Sequence, residues 1–174
     1  MNSMSRYYRD NCDPCNKNDK QNDYYDCREN DKKTCETIIK CGCPRSTTLP
    51  LVTVSSDFTV ASVTLDTSKL RNPCVKLEFA SNLVTVAAIT GTLSFQVYKQ
   101  CENQLNPIPI GPSWIYGPVA VGSDTFSFFT CDCDCSCDKG CCTYSVVVTT
   151  TVTAGTISVN NATLGAIATC GCSC

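Results

Sequence analysis

From residue 47 onward, apolar residues recur at every second position, and this alternation confines that part of the chain to β structure. In "CVKLEF" (74–79), Val75, Leu77 and Phe79 share one face, and Cys74, Lys76 and Glu78 share the other. Successive side chains point to opposite faces of a strand, so this pattern specifies a half-buried one. "TLSFQVYK" (92–99) repeats it with Leu93, Phe95 and Val97. Further strands are predicted in "LPLVTV" (49–54), "DFTVASVTL" (57–65), "LVTVAAI" (83–89) and "DTFSFF" (124–129). "TYSVVVTTTVT" (143–153), "TISVNNATL" (156–164) and "AIATC" (166–170) complete the set. "WIYGPVAV" (114–121) contains Pro118, which suits an edge or interrupted strand. Thr90-Gly91 predicts a tight turn between its flanking strands, and "NQLNPIPIGPS" (103–113) a Pro/Gly-rich loop. The expected fold over 47–174 is all-β: an antiparallel β-sandwich of jelly-roll type, with eight or nine short strands.

Residues 1–46 differ in character. They hold 17 of the 30 charged residues, nine basic and eight acidic, and few aliphatic ones. Such a segment buries too little apolar surface to offset its ordering entropy. It is expected to be an extended N-terminal arm or connector. "TCETIIK" (34–40) fits a short helix and a docking strand equally well.

Cysteine makes up 17 of the 174 residues, the density of a disulfide scaffold. The β region can build an apolar core without help, so the thiols exceed what folding needs. Three stretches are thiol-dense. The arm carries Cys12, Cys15, Cys27, Cys35, Cys41 and Cys43. "CDCDCSCDKGCC" (131–142) carries Cys131, Cys133, Cys135, Cys137, Cys141 and Cys142. The C-terminal "CGCSC" carries Cys170, Cys172 and Cys174. If 131–137 continues a strand, its alternating cysteines all face one way. Their Cα atoms are then roughly 6.5–7 Å apart, at the upper limit for a disulfide, so they face another strand or another chain. If the segment bends at Lys139-Gly140, it forms a hairpin in which Cys137 and Cys141 can meet. Cys74 and Cys101 stand apart from these clusters and fit a structural role as small core residues.

Other chemistries are poorly served. The chain has no histidine and only scattered carboxylates in its β region, so acid/base and nucleophilic catalysis lack partners, and no enzyme is expected. The negative charges of Asp132, Asp134 and Asp138 are the opposite of the electropositive niche a redox thiol needs, so a redox role is not expected. Cys-x-Cys steps suit thiolate clusters of zinc or copper, which keeps metal binding as an alternative. Paired zinc knuckles are missing, however, and no metal site or cofactor is assigned. Trp114 with Tyr116 offers a weaker alternative, a carbohydrate-binding or adhesive surface, although a single Trp more often anchors a core. A net charge of −2 argues against nucleic acid and anionic membrane as partners. The polar N-terminus lacks the apolar region of a secretion signal, and the Asn161-Ala162-Thr163 sequon is therefore taken as chance.

"CPRSTTLPLVTVSSDFTVASVTLDTS" (43–68), "LSFQVYKQCENQLNPIPIGPSW" (93–114) and "SDTFSFFTCDCD" (123–134) resemble a clostridial family of cysteine-rich domains of unknown function, over about residues 43–170. The overall plan is also similar to the subunits of bacillus endospore appendages. That resemblance implies a jelly-roll body, a cysteine-bearing connector and disulfides between neighbouring subunits, with Cys12 and Cys15 as connector thiols. The expected function is a self-assembling structural subunit of a spore-surface appendage or exosporium-like layer. Its partners would be copies of itself, together with other spore-surface proteins. It would be made in the cytoplasm and oxidised when the mother cell lyses.

Overall fold

The computed structural model describes residues 35–49, 56–86, 91–102, 104–117, 121–133, 140–151 and 156–171. Within them the alternation folds as expected. Val75, Leu77, Phe79, Leu93, Phe95 and Val97 all point into the core and are at most 2% exposed. The nine strands of the described residues are β1 (Ile38–Cys41), β2 (Arg45–Leu49), β3 (Ser56–Asp66), β4 (Pro73–Thr85), β5 (Leu93–Cys101), β6 (Ile108–Tyr116), β7 (Gly122–Asp132), β8 (Cys141–Thr150) and β9 (Ile157–Cys170).

They form two antiparallel sheets. The five-stranded sheet runs β1-β9-β4-β7, with β2 pairing further along β9. The four-stranded sheet runs β3-β8-β5-β6. If β1 and β2 are counted as one interrupted strand, this is the eight-stranded order of a jelly roll, with every connection except the β5–β6 hairpin passing between sheets. The interruption falls at Gly42, whose N–H donates to the Leu164 carbonyl at 2.9 Å. A Cβ at Gly42 would collide with the carbonyl oxygen of Ser62 in the opposite sheet.

The strand boundaries differ from the sequence reading where a polar residue was taken as a break. Residues 74–79 and 83–85 belong to one strand, β4, in which Ser81 stays inward and buried. β9 also runs unbroken through both predicted segments, with Gly165, left between them, in register opposite Glu78. Within it Asn161 absorbs an extra residue; its φ is 53°, a left-handed conformation that Asn tolerates. The ladders to β2 and β4 both shift register beside it, as at a β-bulge. "TCETIIK" contributes a docking strand, so residues 35–46, assigned to the arm by composition, include β1 and the start of β2. The loop predicted over 103–113 yields much of β6, an edge strand that accommodates Pro109 and Pro112. β4 and β5 lie in different sheets, so Gly91 stands at a crossover and not at a hairpin turn.

One end of the core is aromatic. Phe95 packs on Phe126 with ring centroids 4.6 Å apart, Phe79 on Phe128 at 5.1 Å, and Trp114 stacks on Phe128 at 5.4 Å. Burying such rings dominates a core of this size.

Candidate functional site

The cysteines separate into three groups. Cys12, Cys15, Cys27, Cys135, Cys137, Cys172 and Cys174 lie outside the described residues. A second group is bonded. Cys35 joins Cys170, Cys74 joins Cys133, and Cys101 joins Cys142, all within the chain. Cys43 and Cys141 are disulfide-bonded as well. Cys41 and Cys131 form the third group, free and exposed.

This placement corrects part of the sequence reading. Cys35, Cys133, Cys142 and Cys170 were expected to link subunits, but the structure pairs them in-chain. Cys74 and Cys101, expected to be lone core residues, are partners in two of those bonds. The physical reason is register. Cys101 stands directly opposite Cys142 in the β5–β8 ladder, with Cα atoms 4.0 Å apart. Asp132 stands opposite Val75, which brings Cys133 beside Cys74 on the adjoining strand. The 131–142 stretch joins β7 and β8, which belong to different sheets, so it is a crossover and not a ladder hairpin. One expectation does hold at its start: Cys131 and Cys133 both face outward, with Asp132 buried between them.

The outer face of the five-stranded sheet thus gathers unusual chemistry. Across one row run Ile39, Ile167, Lys76 and Cys131; across the next run Cys41, Gly165, Glu78 and Phe129. Ile39 is 68% exposed and Phe129 60%. Lys76 pairs with Glu78 at 2.5 Å and lies 5.6 Å from the centre of the Phe129 ring. The hydrogen bond and charge of Glu78 raise the Lys76 pKa. Cys41 and Cys131 sit in adjacent rows on the two outermost strands of this sheet, β1 and β7, at least roughly 14 Å apart by three strand spacings. That is far beyond disulfide reach.

Beneath this face is a polar cluster that the sequence reading missed. Lys99 Nζ lies 2.9 Å from Asp132 Oδ2, and the Tyr144 hydroxyl donates to the same oxygen at 2.7 Å. All three residues are buried. Lys99 was legible as the next inward position after Leu93, Phe95 and Val97, a place where a charge demands a partner. Burial, reinforced by Asp132, pushes the Tyr144 phenol well above its ordinary value.

Trp114 is half-buried against Phe128, with its indole Nε1 buried, as a core anchor would be. Its neighbour Tyr116 donates to Asp124 at 2.6 Å, and burial together with that bond pushes its pKa up to about 12. Among the described residues, no group of three or more Cys, Asp or Glu side chains is placed to hold a metal ion. No helix among them is long and apolar enough to cross a membrane.

The profile of the family described as "Domain of unknown function (DUF4489)" matches residues 35–169. The chain belongs to the DUF4489 family. The match begins at Cys35 and ends beside Cys170, so the DUF4489 unit coincides with the sandwich that this disulfide closes. No curated protein matches the sequence. Among solved structures, a chain in the structure of infectious bursal disease virus, Gx strain, superposes with a TM-score of 0.54 at 10% identity, over 78% of this chain and 32% of that one. The Gt strain of that virus gives 0.38 at 6% identity, over 76% and 41%. The enzymatically active domain of tailspike protein 4 from bacteriophage CBA120 gives 0.32 at 15%, over 74% and 19%. This DUF4489 chain spans about a third of the length of the Gx-strain chain, and the likeness concerns the fold alone.

Proposed function

We propose that the protein is a self-assembling structural subunit of a spore-surface appendage or layer, locked by disulfides between copies. It acts as a building block and not as an enzyme, and its main partner is itself. The supporting observation is the pair of free, exposed thiols, Cys41 and Cys131, on the two outermost strands of one sheet. They are too far apart to bond to each other within a chain, while the other cysteines of the described residues are already engaged. A subunit with a reactive group at each side links to a neighbour on each side. Contacts of that kind, when they do not close, propagate into filaments or arrays.

In this reading Cys41 and Cys131 receive the links from neighbouring copies, including those from arm thiols such as Cys12 and Cys15. Each link removes two protons and two electrons from a thiol pair. Dioxygen accepts them once the spore is released from the mother cell, which fits synthesis in a reducing cytoplasm. Exposed Ile39 and Phe129 add apolar contact beside the thiols.

The test is the full chain on a denaturing gel, with and without reductant. A ladder of multimers that collapses to monomer on reduction is expected, and Cys41→Ser/Cys131→Ser should lose the ladder while remaining folded. Monomer in both lanes for the unaltered protein contradicts the proposal.

A further inference from the structure

We infer that Lys99 and Asp132 condense into an intramolecular amide, a covalent tie between the two sheets that reductant cannot break. Lys99 is on β5 of the four-stranded sheet and Asp132 on β7 of the five-stranded one, so their contact spans the sandwich. Three features prepare the pair for reaction.

The first is proximity. The amine lies 2.9 Å from the carboxyl oxygen, with side chains only 9% and 7% exposed. Holding an amine and a carboxyl group together in a dry site replaces a bimolecular encounter with an internal one. Disulfides pin the backbone on every side. Cys101 is two residues from Lys99, Cys142 two residues from Tyr144, and Cys133 adjacent to Asp132. The second is desolvation. An ammonium and a carboxylate buried together carry a solvation cost that a neutral amide does not, and a desolvated lysine amine is a competent nucleophile. The third is a proton donor. Tyr144 faces Lys99 directly across the β5–β8 ladder and hydrogen-bonds Asp132 Oδ2. Its phenol is protonated at neutral pH, as any tyrosine is, and burial holds it so.

The step balances without any co-reactant. Proton transfer within the ion pair gives a neutral amine and a neutral carboxylic acid. The Nζ lone pair attacks Asp132 Cγ, and the Cγ–Oδ2 bond breaks. Tyr144 lends a proton to the departing oxygen and recovers one from the nitrogen. One N–C bond forms, one water leaves, and nothing is oxidised or reduced. The amide is independent of any link between copies.

The test is the mass of the purified full chain after complete reduction and alkylation, followed by a tryptic digest. The expected result is a chain lighter by one water than its fully alkylated sequence, with Lys99 resistant to trypsin and joined to the peptide containing Asp132. A full-weight chain with a free Lys99 amine overturns the inference. So does a one-water loss that maps to a cyclic imide at another aspartate. Tyr144→Phe keeps the ion pair and the ring, and unlinked chain should accumulate in it. Unchanged linkage in that variant would remove the phenol from the step.

Discussion

The two sheets differ on their outer faces. The four-stranded sheet carries hydroxyls and amides that satisfy one another, beside an exposed Ile115 on its edge strand β6. Thr64 meets Thr143 at 3.0 Å, Thr149 donates to Asp57 at 2.6 Å, and the Gln96 amide donates to the Ile110 carbonyl at 3.0 Å. The five-stranded sheet exposes Ile39 and Phe129 and carries both free thiols of the described residues. The fold needs both inner faces but neither outer one. Both faces bear an exposed apolar side chain, so the free thiols of the described residues are what set the five-stranded face apart. On the proposed assembly, that difference assigns the links between copies to this face.

That contrast can be broken residue by residue. The largest effect is expected beneath the thiol face. Asp132→Ala removes the tie between the sheets and leaves the Lys99 ammonium buried without a counter-charge, and should cost at least about 3 kcal/mol in urea denaturation. The adjacent pair Phe128 and Phe129 divides inside from outside most sharply. Phe128→Ala removes a ring that packs on Phe79 and Trp114, and should cost about 3 kcal/mol. On the quiet face, Thr149→Ala loses its bond to Asp57 and should cost about 1 kcal/mol, with no effect on assembly. Phe129→Ala should leave monomer stability within about 0.5 kcal/mol yet weaken association. Equal stability losses for Phe128 and Phe129 would mean that both rings are core.

The inside of the sandwich was readable because alternation is a local property. Val75, Leu77 and Phe79 declare their face through their immediate neighbours, and so do Leu93, Phe95 and Val97. The jelly-roll class followed from the count and spacing of such segments. What failed were the places where local punctuation does not end a strand. Ser81 and Gly165 look like breaks, but the first keeps the alternation and the second stays in register opposite Glu78. Partnership was hidden for a different reason. Cys74 and Cys133 are 59 residues apart and Cys35 and Cys170 are 135 apart, so only strand order and register bring them together. The same holds for Lys99 and Asp132. The sequence marked fifteen cysteines as candidates for linking subunits, and register assigned several of them to in-chain bonds, leaving Cys41 and Cys131 as the free pair among the described residues.

The central claim is that those two thiols connect copies of the chain. Mixing isotopically light and heavy protein before oxidation, then mapping disulfide-linked peptides without reduction, tests it most directly. The account predicts mixed light–heavy peptides containing Cys41 or Cys131, while Cys101–Cys142 and Cys74–Cys133 stay isotopically pure. Peptides of Cys41 and Cys131 that are reduced, or bonded only within a single isotope, would contradict it.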